Sequence, residues 1–287
     1  MFKICSYQLK LSLTSPKFYI ALLVGIFIQT VTAVPLLDYV KATEQPICLV
    51  EGFLYYNSDI FSVAAAFLGV VLMVSDIPFS SQNETYTLLR VSRWKWTGGK
   101  ILYLLCVCSI YYLVMFAANA IYMAEYAYCG DFWSQPIYKL ARDTSGMYRN
   151  SFGVSYQHSY LLAEFTPFTA FALCMGLSVT HAFVMSLLIF WLNLKLPTVM
   201  GYFIAIVTHV LNYCLIAVLP SRTLQKFSLL ANSCLTYHRF EEYQDSHRFL
   251  TFQQSWLVFA GSIIILTVLV LLAVRKYDFK ITVGAKQ

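Results

Sequence analysis

A chain of 287 residues with 59% hydrophobic and only 12% charged residues has too little charge to cover a water-facing surface, since soluble domains carry about 25%. The net charge of +6 comes from Lys and Arg flanking apolar segments, with no block of five like charges. That excludes a nucleic-acid arm and makes membrane lipid the expected partner. Eight cysteines without a CxxC pair offer no zinc spacing or disulfide framework.

Residues 1–17, MFKICSYQLKLSLTSPK, mix Phe2, Ile4, Leu9, Leu11 and Leu13 with Lys3, Gln8 and Lys10. They are expected to lie in the membrane plane as an amphipathic helix that ends near Pro16. Six apolar runs stand out in the chain, at about 18–37, 58–75, 101–123, 166–191, 198–219 and 255–274. Each approaches the ~20 residues a helix needs to cross a ~30 Å hydrocarbon core. Helices are required because lipid offers no partner to free backbone groups. The second run is the shortest. Thr30 to Ala33 resembles a signal-peptide cleavage site, but apolar residues continue through Leu37, so the first run is expected to be a retained span. Pro35, Pro167 and Pro197 fall near run ends, where proline is tolerated.

The expected fold class is therefore an all-α integral membrane protein with six transmembrane helices and both termini inside. It reads as one transmembrane domain over 1–287: an interfacial helix at 1–17, a bundle at 18–274 and a cytoplasmic tail at 275–287. Orientation follows the basic residues. With the N-terminus inside, inner segments hold 12 of the 20 basic residues and 3 of the 14 acidic ones. Tyr55, Tyr56, Trp94, Trp96, Tyr126, Tyr128, Trp191 and Trp256 fall at expected interfaces.

Residues 76–100, DIPFSSQNETYTLLRVSRWKWTGGK, form the one sizeable inner loop. Ser80 to Leu89 is expected to form a short helix, with Ser81 as N-cap and Glu84 in capping-box spacing. The basic-aromatic cluster Arg90, Arg93, Trp94, Lys95 and Trp96 then suits the headgroup layer. A loop helix after the second span, followed by Leu88, Leu89, Ser92, Arg93, Gly99 and Lys100 opening the third, resembles the permease subunits of ABC-2-type exporters. The six-helix layout, the amphipathic N-terminus and the long segment before the last helix are similar too. One departure is that Glu84 is followed by Thr85-Tyr86-Thr87-Leu88 rather than by an acidic-x-x-x-glycine turn.

The resemblance implies a coupling helix at about 79–89 that seats in a separate ATPase. Phe79, Glu84, Tyr86, Leu88, Leu89, Arg90 and Arg93 would be its coupling residues. It implies an ABC ATPase partner and pairing as a homodimer or with a second permease. ATP and magnesium would be held on the partner chain. Gly98-Gly99-Lys100-Ile101 lacks the first glycine and the Ser/Thr of a phosphate-binding loop, so no cofactor is expected on this chain and it is not expected to be an enzyme.

Two outer segments are long, about 124–165 and 220–254. Turns are expected at Cys129-Gly130-Asp131 and Ser145-Gly146, and short helices in the second segment. Within the spans, Gly201, Ala205, Thr208, His209 and Asn212 share one helical face, as do Ser62, Ala66, Gly69 and Met73. Small and polar stripes mark faces packed on protein or lining a cavity. In the family the second and fifth helices line the translocation path, so Ser62, Ala66, Gly69, Gly201, Thr208, His209 and Asn212 are its candidates. His181 joins them as an ionisable group in mid-span; no third ligand for a metal accompanies the two histidines. Two other classes remain open. An intramembrane enzyme needs acidic pairs or a His/Glu set at membrane depth, whereas Glu241-Glu242 lies outside. An ion-coupled secondary transporter favours internal repeats and buried charge, and neither is visible.

Overall fold

The computed structural model describes residues 1–78, 91–156, 158–196, 198–218, 225–239 and 250–277. Its elements in chain order are α1 (Phe2–Leu13), α2 (Pro16–Thr43), β1 (Ile47–Cys48), α3 (Glu51–Ser58), α4 (Ile60–Val74), α5 (Arg93–Met123) and β2 (Ala127–Tyr128). There follow α6 (Gln135–Ala141), α7 (Met147–Phe152), α8 (Ser159–Glu164), α9 (Pro167–Lys195), α10 (Thr198–Ala217), α11 (Leu229–Ser233), β3 (His238–Arg239), β4 (Leu250–Thr251) and α12 (Phe252–Lys276).

Among the described residues, α2, α5, α9, α10 and α12 are long and apolar enough to cross a membrane. Their surfaces carry the physical reason. On α2, Ile20, Leu23, Phe27, Val31 and Val34 are exposed, at steps of three and four, while Ala21, Gly25, Gln29, Ala33 and Leu36 are buried at the same helical period. On α12, Leu257, Ile264, Ile265, Val268 and Leu272 are exposed. Water would penalise such stripes at about 25 cal/mol per Å²; hydrocarbon does not. The chain is therefore a multi-pass α-helical membrane protein.

The second apolar run differs from its expectation. It is broken: α3 and α4 are long and apolar enough for a crossing only together, and they meet at a 98° bend. The break is at Asp59, whose extended backbone ends α3 and caps α4, its carboxylate accepting from the Ser62 amide at 2.8 Å and its hydroxyl at 2.6 Å. Alone, the 15 residues of α4 rise about 22 Å. Two prolines also act differently from expectation. Pro16 opens α2 at its first position rather than only closing α1, because a proline lacks an N–H that the first turn does not need. Pro35 lies inside α2, which continues to Thr43.

Helix α2 packs on α4 and α5, and α9 packs on α5, α10 and α12. The helix ends sort into two groups. At one end Lys17 pairs with Asp76 at 2.6 Å, Asn193 donates to the Ser75 and Ile77 carbonyls, and Arg93 donates to the Val274 and Arg275 carbonyls at 3.3 and 2.8 Å. The start of α2, the end of α4, the start of α5 and the ends of α9 and α12 thus meet. At the other end β1 and β2 pair in parallel, as do β3 and β4, and the short helices of the outer segments pack there.

Helix α1 lies on α5, burying Ile4, Cys5 and Gln8. A Cβ on Gly99 would stand 2.7 Å from the Ile4 Cβ, and one on Gly98 would collide with Met1. The glycine pair is therefore the seat of α1.

Candidate functional site

Three features of the bundle interior could carry function. The first is a junction of α2, α4 and α5. Tyr111 donates to the Ala66 carbonyl at 2.7 Å, and its ring lies where side chains on Gly25 and Gly69 would be; a Cβ on Gly69 would also stand 2.8 Å from the Ala21 carbonyl. Ser62 reaches Thr32 of α2 at 3.4 Å. The stripe of Ser62, Ala66 and Gly69 therefore faces α2 and α5 as a packing surface.

The second is a cluster of His181 on α9, His209 on α10 and Phe67 on α4. The Phe67 ring lies 4.2 Å from His209 and 5.8 Å from His181, and the two imidazoles are 5.6 Å apart, centroid to centroid. His209 is 5% exposed and His181 1%. His209 Nε2 lies 3.1 Å from the Ala64 carbonyl, whereas His209 Nδ1 and both His181 nitrogens have no hydrogen-bond partner. Such groups are costly to bury unpaired, about 1–3 kcal/mol each.

The third is the end of the bundle where Lys17 and Asp76 pair. Lys17 bonds both Asp76 and the Ser75 hydroxyl, and Ser12 bonds Tyr103 at 2.5 Å. Ser12, Lys17, Asp76 and Tyr103, with Leu11 and Phe18, line a cavity of about 260 Å³ shared by α1, α2, the end of α4 and α5. Lys100 is fully buried, its ammonium 5.7 Å from the Trp96 ring centroid.

At the opposite end two polar pins hold the connecting segments. Buried Glu51 accepts from the Cys48 and Ser134 amides at 2.9 and 2.7 Å. His238 approaches the Cys234 carbonyl through Nδ1 at 2.9 Å and the Ser255 hydroxyl through Nε2 at 2.8 Å. The Ser255 oxygen lies 2.6 Å from the Asn232 carbonyl oxygen, and the Asn232 amide nitrogen is spent on the Lys226 and Ser228 carbonyls. A neutral imidazole leaves this network one proton short: with Nδ1–H on Cys234, the Ser255 proton serves Nε2 or Asn232, not both. Burial holds the His238 pKa down at about 4, so the network is neutral near pH 7.

The sequence-derived candidates separate accordingly. Phe79, Glu84, Tyr86, Leu88, Leu89 and Arg90 lie outside the described residues, as do the Ser81 cap and the Glu241-Glu242 pair. Arg93 is described, and its guanidinium engages the end of α12; Trp94 stacks on Arg275 at 4.8 Å. On α10, Gly201, Ala205 and His209 are buried and Thr208 and Asn212 half-buried. A Cβ on Gly201 would collide with Asn193 of α9, and Asn212 accepts from the Leu229 amide of α11 at 2.9 Å. The stripe thus meets α9 through Gly201, α4 through His209 and α11 through Asn212. Sequence reasoning missed Phe67, Tyr111 and Asn193, since one aromatic, one tyrosine and one asparagine in apolar runs carry no periodic signal.

Among the described residues, no three His, Cys, Asp or Glu side chains gather as a metal site requires; all eight cysteines are free thiols. Comparison with family models, with curated proteins and with solved structures finds no match to this chain.

Proposed function

We propose that this chain is the membrane permease subunit of an ATP-driven exporter of the ABC-2 type. It crosses the bilayer six times, counting the bent α3–α4 pair as one crossing, with both termini in the cytoplasm. The observation that carries the reading is the convergence at one end of the bundle. There the start of α2, the end of α4, the start of α5 and the end of α12 are joined by Lys17, Asp76, Arg93 and Arg275. The described residues that flank positions 79–90 in the chain, Ile77 and Ser92, lie at that end, where basic residues are concentrated. A push delivered between them would pass along the chain to α4 and α5, and to α12 through Arg93.

On this reading a separate ATPase, with its own ATP and magnesium, docks on that segment, and the permease works with a second copy or a similar partner. His181, His209 and Phe67 stand where α4, α9 and α10 meet, and that seam is the one cargo or conformational change would use. Co-purification tests the reading. Tagged protein extracted in mild detergent should bring down an ATPase, and deletion of residues 79–89 should abolish the pairing while the protein still inserts. Recovery of full transport by this chain alone in vesicles without nucleotide would refute it. One observation favours an ion-coupled transporter instead, namely the unpaired buried imidazoles; that reading predicts transport driven by a proton gradient in the same vesicles.

A further inference from the structure

The cavity of about 260 Å³ between α1, α2, the end of α4 and α5 is walled by both polar and apolar groups. Its two charged side chains are accessible: Lys17 is 34% exposed and Asp76 56%. Each has bonding capacity left over. An ammonium donates three times, and Lys17 donates to Asp76 and to the Ser75 hydroxyl, which leaves one N–H. Asp76 receives Lys17 on Oδ2, and its Oδ1 takes no hydrogen bond among the described residues. The Ser15 hydroxyl on the same wall makes no cap bond to α2.

The place of the cavity sets its surroundings. Helix α2 starts at Pro16 and α4 ends at Val74, so the ion pair stands where two crossings end, at the depth where hydrocarbon gives way to lipid headgroups. Exposed apolar stripes lead away from it on both helices. On α2, Ile20, Phe27 and Val31 follow Lys17 at helical spacing; on α4, Leu68 and Leu72 lead toward Asp76 at the same spacing.

We propose that this cavity holds the head of a membrane phospholipid carrying a primary amine, with the ammonium on Asp76, the phosphate on Lys17 and Ser15, and the acyl chains along the exposed stripes of α2 and α4. One positive and one negative pole side by side match a zwitterion. An anionic head would set a further negative charge beside Asp76. A trimethylammonium head has no N–H to give the carboxylate. The proposal goes beyond the permease reading, does not rest on it, and stands whichever way the chain is inserted.

The test titrates the full chain, purified in detergent, with phosphatidylethanolamine, phosphatidylcholine and phosphatidylglycerol of identical acyl chains, and counts bound lipid by native mass spectrometry. The ethanolamine lipid should bind about five-fold more tightly than either of the others, the range of one net hydrogen bond. Asp76→Asn should bring the ethanolamine and choline lipids to equal affinity, and Lys17→Gln should weaken both. An ion pair this exposed contributes little to folding, so both variants should remain folded. Ser15→Trp, which fills the cavity with both charges in place, should abolish the preference. Equal affinity for the ethanolamine and choline lipids on the native chain would overturn the proposal, as would a preference that survives Asp76→Asn. Displacement of the bound lipid by an equal concentration of soluble glycerophosphoethanolamine would assign the site to a free headgroup and overturn the lipid. If a variant does not fold, the native comparison of the two heads still decides.

Discussion

At the scale of single residues, the glycines of α2 and α4 are the most exacting positions. Gly25 and Gly69 leave room for one Tyr111 ring. Gly69→Ala would also press on the Ala21 carbonyl, a backbone atom that cannot rotate away. It should lower stability by about 1–3 kcal/mol, the usual cost of overpacking, measured as a fall in melting temperature in detergent. Gly261, which has nothing within reach of a Cβ, should accept alanine with no loss. His238 gives a pH dependence of definite sign. Its pKa is lowered by burial to about 4 in the folded protein, from 6.5, so below pH 6.5 the unfolded chain takes up a proton that the folded chain refuses. Stability should therefore fall as pH drops from about 6.5 to about 4, by about 3 kcal/mol from this residue. His158, whose pKa burial also lowers to about 4, acts in the same direction. Unfolding followed against pH in His238→Gln should show a shallower decline; an unchanged slope would assign the effect elsewhere.

At the scale of elements, the apolar runs at 18–37, 101–123, 166–191, 198–219 and 255–274 were legible because desolvation acts on about twenty residues at once. The amphipathic helix was legible too, although its buried face meets α5. What periodicity could not show was the break at Asp59, a cap made by one carboxylate, or the extension of α2 through Pro35. Nor does hydropathy reveal which neighbour a polar stripe meets: Ala66 and Gly69 lie against Tyr111, Ser62 reaches Thr32, and His209 reaches the Ala64 carbonyl of α4. The Arg93 contact gives a test at this scale. Arg93→Ala removes the charged donor to the last carbonyls of α12, where a cation offsets the helix dipole. It should cost about 1 kcal/mol and speed hydrogen exchange at 272–276. No change in exchange there would mean that α12 is held by packing alone.

At the scale of the whole molecule, the proposed orientation puts the gathered helix ends inside, and accessibility can check it. Cys129 is the one exposed native cysteine among the described residues. A membrane-impermeant maleimide added to intact cells should label it, while Thr14→Cys at the opposite end should react only after permeabilisation. Labelling in the reverse order would invert the orientation. Because the two sites sit on opposite ends of one bundle, a mixed population would appear as partial labelling at both.

The paired two-residue strands at the end opposite the Lys17–Asp76 pair constrain what such a bundle does mechanically. One pair staples the exit of α2 to the exit of α5, and the other staples the segment after α11 to the entrance of α12. Each staple ties together two segments that are far apart in the chain, so the ends of α2 and α5 are held in register with each other, and the start of α12 with the segment after α11.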